Sequence, residues 1–74
     1  MGMKFIYNAE FAYQIQKTTD CQNVYITLWH WDNQHNIWVE TEIWTKLTTD
    51  YVDEFMLILD EIIEKLIKEF KENE

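Results

Sequence analysis

An α+β fold, with a three-stranded antiparallel sheet (β-β-β) packed against one long C-terminal amphipathic helix, is what this sequence predicts. Three observations carry the prediction. Apolar and polar residues alternate from Phe5 to Ile15, and they alternate again from Val24 to Trp44. From about residue 50 the apolar spacing changes to threes and fours. The 74 residues suffice for one domain with one thin core, so the chain reads as a single domain 1–74, with the sheet over about 4–46 and the helix over about 50–72.

Between Phe5 and Ile15 the odd positions, Ala9 aside, are large and apolar: Phe5, Tyr7, Phe11, Tyr13 and Ile15. Asn8, Glu10, Gln14 and Gln16 fall on even positions, which is the pattern of one strand with one buried face. A short helix capped by Asn8 is the alternative, because Phe11 and Ile15 are also four apart. After a turn at Lys17–Asp20, the β-branched and aromatic run Val24–Trp31 makes the central strand. Asp32–Asn36 is polar and turn-forming, and Ile37–Trp44 resumes the alternation, so the two segments form a hairpin.

Register decides which residues face inward. Pairing Trp29 with Trp38 puts Val24, Ile26, Leu28, Ile37, Val39 and Ile43 on one aliphatic face that suits a covering helix. The opposite face then carries Tyr25, Trp29, Trp31, Trp38 and Trp44 beside Thr27, Glu40 and Glu42, the last two of which need solvent.

In the C-terminal segment Thr49 or Asp50 supplies an N-cap, Asp53 and Glu54 suit the positive end of the helix dipole, and Lys65, Lys68 and Lys71 suit the other end. Val52, Met56, Leu59, Ile63, Leu66 and Phe70 make an apolar stripe that Phe55, Ile62 and Ile67 widen to the breadth of a core-facing helix. A coiled coil is the other reading of this spacing, but a stripe that covers a sheet is already committed. Leu57 and Ile58 lie off the stripe, which marks them for contact with a partner.

Composition excludes several classes of function. Fourteen carboxylates face six lysines and no arginine, a formal net charge of −8, so direct nucleic-acid binding has no cationic basis and the complementary partner is a protein with a basic surface. The acidity is uneven: residues 49–74 hold nine acids and three lysines, net −6. A single cysteine, Cys21, allows no internal disulfide and fits a reducing, cytoplasmic setting, and no run approaches the roughly 20 apolar residues of a membrane span. Two histidines, one cysteine and no serine offer little to build catalysis, so the chain reads as non-enzymatic with no cofactor. His30, His35 and Asp32 match no zinc spacing, and Cys21 has no basic neighbour to activate it.

Two features ask for more than a solvated fold. Asp53, Asp60 and Glu64, with their acidic neighbours, form a band on the polar helix face; this is an ordinary soluble surface or a rigid row that imitates nucleic-acid phosphates. A core this small also has no room for four tryptophans beside eight other aromatics, so the outer sheet face is expected to be an interface, in a homodimer or on a foreign protein.

In small size, low pI, absence of Arg and Pro and use of Asn, Lys and Ile, the chain resembles the compact inhibitor proteins of phages and mobile elements, such as anti-CRISPR and antirestriction proteins. The likeness is one of type, covers the whole chain and assigns no residue a role. What it implies is an inhibitor that occupies a basic, nucleic-acid-handling surface; the alternative is a structural or regulatory homodimer or accessory subunit whose Trp-rich face is used for self-association.

Overall fold

The computed structural model describes residues 3–19, 23–48 and 57–73. Four strands, β1 (Met3–Ile6), β2 (Phe11–Lys17), β3 (Asn23–Asp32) and β4 (Ile37–Thr48), form an antiparallel sheet in sequence order, and helix α1 (Leu59–Glu72) packs over β3 and β4. The fold is therefore α+β, a four-stranded antiparallel sheet against one C-terminal helix. Asp20, Cys21, Thr49, Asp50, Val52, Asp53, Glu54, Phe55 and Met56, singled out in the sequence, lie outside the described residues.

The extra strand comes from the first apolar run, which is a hairpin rather than one strand. Asn8 breaks it: its Oδ1 accepts the N–H groups of Glu10 and Phe11, each at 2.8 Å, while Tyr7 and Asn8 donate their own N–H groups to the Phe11 carbonyl. The β1–β2 register pairs Phe5 with Tyr13 and Met3 with Ile15, so odd residues meet odd residues and the alternation passes through the turn unchanged.

In the β3–β4 hairpin Trp31 pairs with Trp38, and Trp29 lies opposite Glu40 instead of Trp38. The loop chemistry sets this. Asp32 Oδ1 accepts from the N–H of Gln34 and of His35, and Asn36 takes the left-handed conformation at φ 53°, which Asn tolerates better than most residues. A slip of two residues keeps every side chain on its expected face, whereas a slip of one would have exchanged the faces. Farther along, the register shifts between Thr27 and Trp29: Thr27 faces Trp44, so Thr41, Glu42 and Ile43 bulge against the single residue Leu28. Thr41 fills the gap, its hydroxyl donating to the Leu28 carbonyl at 2.7 Å and accepting from the Ile43 N–H at 3.1 Å.

The inner face holds the core. Val24, Ile26 and Leu28 of β3 and Phe11 of β2 are buried against Ile63, Leu66 and Ile67 of α1, with Tyr13, Ile15, Ile43, Leu47, Leu59, Ile62 and Phe70 packed around them. His30 joins this layer, its ring 5.2 Å from Phe11 and 5.0 Å from Phe70. Ile37 and Val39, expected under the helix, stay 53% and 42% exposed. Length explains this, since a helix of 14 residues spans about 21 Å and a strand of 12 about 40 Å.

The helix begins at Leu59, with Ile58 outside it at φ −109°, ψ 12° and no side-chain cap, and so does not run unbroken from about residue 50. Leu57 and Ile58 are exposed, and a helix gains most of its stability from a packed face. At the other end Asn73 donates its N–H to the Phe70 carbonyl.

Candidate interaction face

The strands turn a second set of side chains away from the helix. Cross-strand pairs share a face, so the pairings Ala12–Trp29, Thr27–Trp44, Tyr25–Lys46 and Trp31–Trp38 place Tyr25, Trp29, Trp31, Trp38 and Trp44 together on the outer side, as the alternation predicts. β-branched and aromatic residues favour strands, and period-two alternation assigns the aliphatic ones inward and the indoles outward.

The rings order one another. Trp31 and Trp38 meet edge to face with centroids 5.1 Å apart, and Tyr25 lies 5.6 Å from Trp44. Lys4 reaches from β1 to put its ammonium 3.7 Å from the centre of a Trp29 ring, a cation–π contact. Small Ala12, opposite Trp29, leaves room for the indole and is itself 3% exposed. The Trp29 indole N–H is buried with no acceptor among the described residues, which is uncommon for a buried donor. These contacts leave Trp29, Trp31, Trp38 and Tyr25 half-buried, while Trp44 is 56% exposed and Ile6, on β1, is exposed as well. Covering Trp44 would remove roughly 140 Å² of surface from water, worth about 3 kcal/mol.

The acidic residues of α1 are placed differently from the expected free row. Glu64 is exposed but accepts a 2.6 Å hydrogen bond from the Tyr7 hydroxyl, which ties α1 to the β1–β2 turn. That bond, with partial burial and the negative charges of Glu64 and Asp60, pushes the Tyr7 phenol up to about 12. Burial and then the charge of Asp60 push the Tyr13 phenol up as well. Asp60 and Glu64 therefore lie over the β1–β2 side of the sheet. The i,i+4 neighbours Glu61–Lys65 and Glu64–Lys68 on the helix do not close into ion pairs.

No family model matches the chain, and no curated protein or solved structure gives a significant match.

The groups weighed for a metal stand apart, His30 packed between phenyl rings and His35 bonded through Nδ1 to Asp32 Oδ2 at 2.7 Å. Among the described residues no three His, Cys, Asp or Glu side chains gather to hold an ion. The His35 contact, with the backbone N–H groups of Gln34 and His35, holds the Asp32 carboxyl below its usual range against a smaller opposing effect of burial. Among the described residues no helix is long and apolar enough to cross a membrane.

Sequence reasoning found the aromatic face but missed three of its supports: Lys4 over Trp29, the Ala12 site opposite it, and the Thr41 bulge that brings Trp44 opposite Thr27. Lys4 and Ala12 carried a signal in retrospect, because both are even positions and share the parity of the polar residues around them. Nothing in the sequence marked Thr41.

Proposed function

We propose that this chain is a non-enzymatic protein-binding module that covers a basic, nucleic-acid-handling surface of its partner in a reducing, cytoplasmic setting. The outer aromatic face supplies affinity and the acidic C-terminal third supplies steering. One observation carries the reading: four indoles and a phenol lie together on the sheet face remote from the helix, with Trp44 more than half exposed. Trp and Tyr give large contact area at low entropic cost and dominate interface hot spots, and a protein that leaves such a patch uncovered risks aggregation. The charge of −8 selects a basic partner and raises its encounter rate without adding much to affinity.

Basic nucleic-acid surfaces are the partner class because they are built to attract closely spaced negative charge. The test is a titration against a panel of purified nucleases and repressors with duplex DNA as competitor. A complex that DNA displaces, and whose association rate falls with salt, supports the reading. Complexes indifferent to both DNA and salt would remove the nucleic-acid-handling partner, and binding to none of the panel would remove the inhibitor role.

A further inference from the structure

We infer that strand β4 pairs with β4 of a second copy, antiparallel about a two-fold axis at Thr45, to make one continuous eight-stranded sheet with both aromatic faces on the same side. This inference draws on other observations than the proposed function: the pairing uses the strand edge and, of the outer face, only Trp44 and Lys46, and leaves Trp29, Trp31 and Trp38 open. β4 is the last strand of the sheet and, among the described residues, no strand pairs with its far edge.

The backbone is set for pairing there. In β3, Asn23 exchanges bonds with Thr18, and Trp31 donates its N–H to the Glu10 carbonyl, so odd residues turn their N–H and C=O groups toward β2. Even residues turn theirs toward β4, as the Leu28 carbonyl does in accepting from Thr41. Thr45 and Leu47, opposite Ile26 and Val24, therefore spend their backbone groups on β3. By alternation Trp44, Lys46 and Thr48 point theirs to the open edge. A row of edge groups that no described strand pairs is a template for another strand.

The side chains suit a second copy in this register. With Thr45 on the axis, Trp44 of each chain faces Lys46 of the other on the outer side, a cross-strand cation–π pair that exchanges two backbone hydrogen bonds. On the inner side Ile43 faces Leu47, apolar against apolar, and both are only half-buried in the single chain. Glu42 faces Thr48, so no like charges meet. A shift of two residues that put Lys46 on the axis would oppose two lysines, which is unfavourable.

The helices fit the same arrangement. Helix α1 packs over β3 and β4, so the two-fold axis places both helices on the same side of the joined sheet, one on each side of the axis. Ile62, Lys65 and Glu69 line a groove with Trp44, Thr45 and Leu47 along this edge. A two-fold axis runs the helices in opposite directions, so Lys65 of one copy is offered to Glu69 of the other. The interface is isologous and closes on itself, as cyclic dimers do.

Light scattering across a dilution series, with three variants, tests the pairing. The wild type is expected at twice the chain mass. Lys46→Pro removes an edge-facing N–H where proline is tolerated and is expected to be a monomer with unchanged far-UV dichroism. Trp31→Ala, on the face and away from the edge, is expected to remain a dimer. Thr45→Cys is expected to form a covalent dimer on mild oxidation while the wild type, which retains Cys21, does not, since residues opposed at a non-hydrogen-bonded site lie about 4.5 Å apart. A monomeric wild type overturns the inference. A dimer lost in Trp31→Ala and kept in a folded Lys46→Pro also overturns it, and assigns association to the aromatic face. If Lys46→Pro does not fold, Thr45→Cys decides, and its failure to cross-link refutes the register.

Discussion

Replacing Thr41 by Val keeps the shape of the side chain and removes the one hydroxyl that completes the β4 bulge. The hydroxyl donates to the Leu28 carbonyl at 2.7 Å and accepts from the Ile43 N–H at 3.1 Å, so the change leaves one carbonyl and one amide without partners. Leu28 is fully buried and Ile43 half-buried, so water replaces these bonds poorly. Each is worth about 0.5–1.5 kcal/mol net, and the pair about 1–3 kcal/mol. For a chain of 74 residues, whose whole stability is about 4–11 kcal/mol, that is a large fraction. A domain of this size loses about 4–8 °C of melting temperature per kcal/mol. Urea denaturation of Thr41→Val and Thr41→Ser, followed by tryptophan fluorescence, separates the hydroxyl from the methyl. Ser should keep most of the stability and Val should lose it. If Val is as stable as the wild type, or if Ser falls as far as Val, the bulge is held by something other than these two bonds.

Three further outcomes follow from the same geometry. Ile63→Ala, at a position with no exposure, should cost about 2–5 kcal/mol and leave the protein close to unfolding at room temperature, whereas Leu57→Ala, 87% exposed, should move stability by less than about 0.5 kcal/mol in the same denaturation series. The Tyr7 phenol is raised in the folded chain, so the contribution of its bond to Glu64 is full below pH 10 and is lost as pH rises from there through about 12. Ultraviolet titration should show a tyrosine ionising near pH 12, and Glu64→Ala should move that transition to lower pH; an unmoved transition would remove Glu64 as its cause. Charge reversal at Asp60 and Glu61 should slow partner association at low salt and leave it nearly unchanged at high salt, read by stopped-flow mixing; equal rates at low salt would end the steering role of the helix.

Period-two alternation made the faces of the sheet legible, and the helical stripe made the core side of α1 legible from Leu59 onward. Strand number was not legible for a physical reason. Odd positions pair with odd positions across the Asn8 turn, so the alternation is the same for one strand and for a hairpin. The only available sign was Asn8 itself, a residue whose short amide can bond the next turn of backbone. Register escaped in the same way, because pairing Trp38 with Trp29 or with Trp31 gives identical faces, and the choice rests on Asp32 and Asn36 bonding and bending the loop. Ile37 and Val39 were assigned correctly to the helix side, but pattern alone could not show that the helix ends short of them. Glu64 read as one member of a solvated row. Its tie to Tyr7, 57 positions away, belongs to the tertiary fold and leaves no trace in local spacing.

Calorimetric titration of Trp44→Ala against a panel protein that binds the wild type asks whether the aromatic face is the contact surface. Trp44 is the most exposed indole, so its truncation disturbs the fold least, and the roughly 3 kcal/mol gained by covering it corresponds to a loss of affinity on the order of 100-fold. A loss of that size, in a variant that keeps the fold and the molar mass of the wild type, is the expected result. Affinity within about twofold of the wild type, in a variant that is folded, would place the contact elsewhere on the molecule.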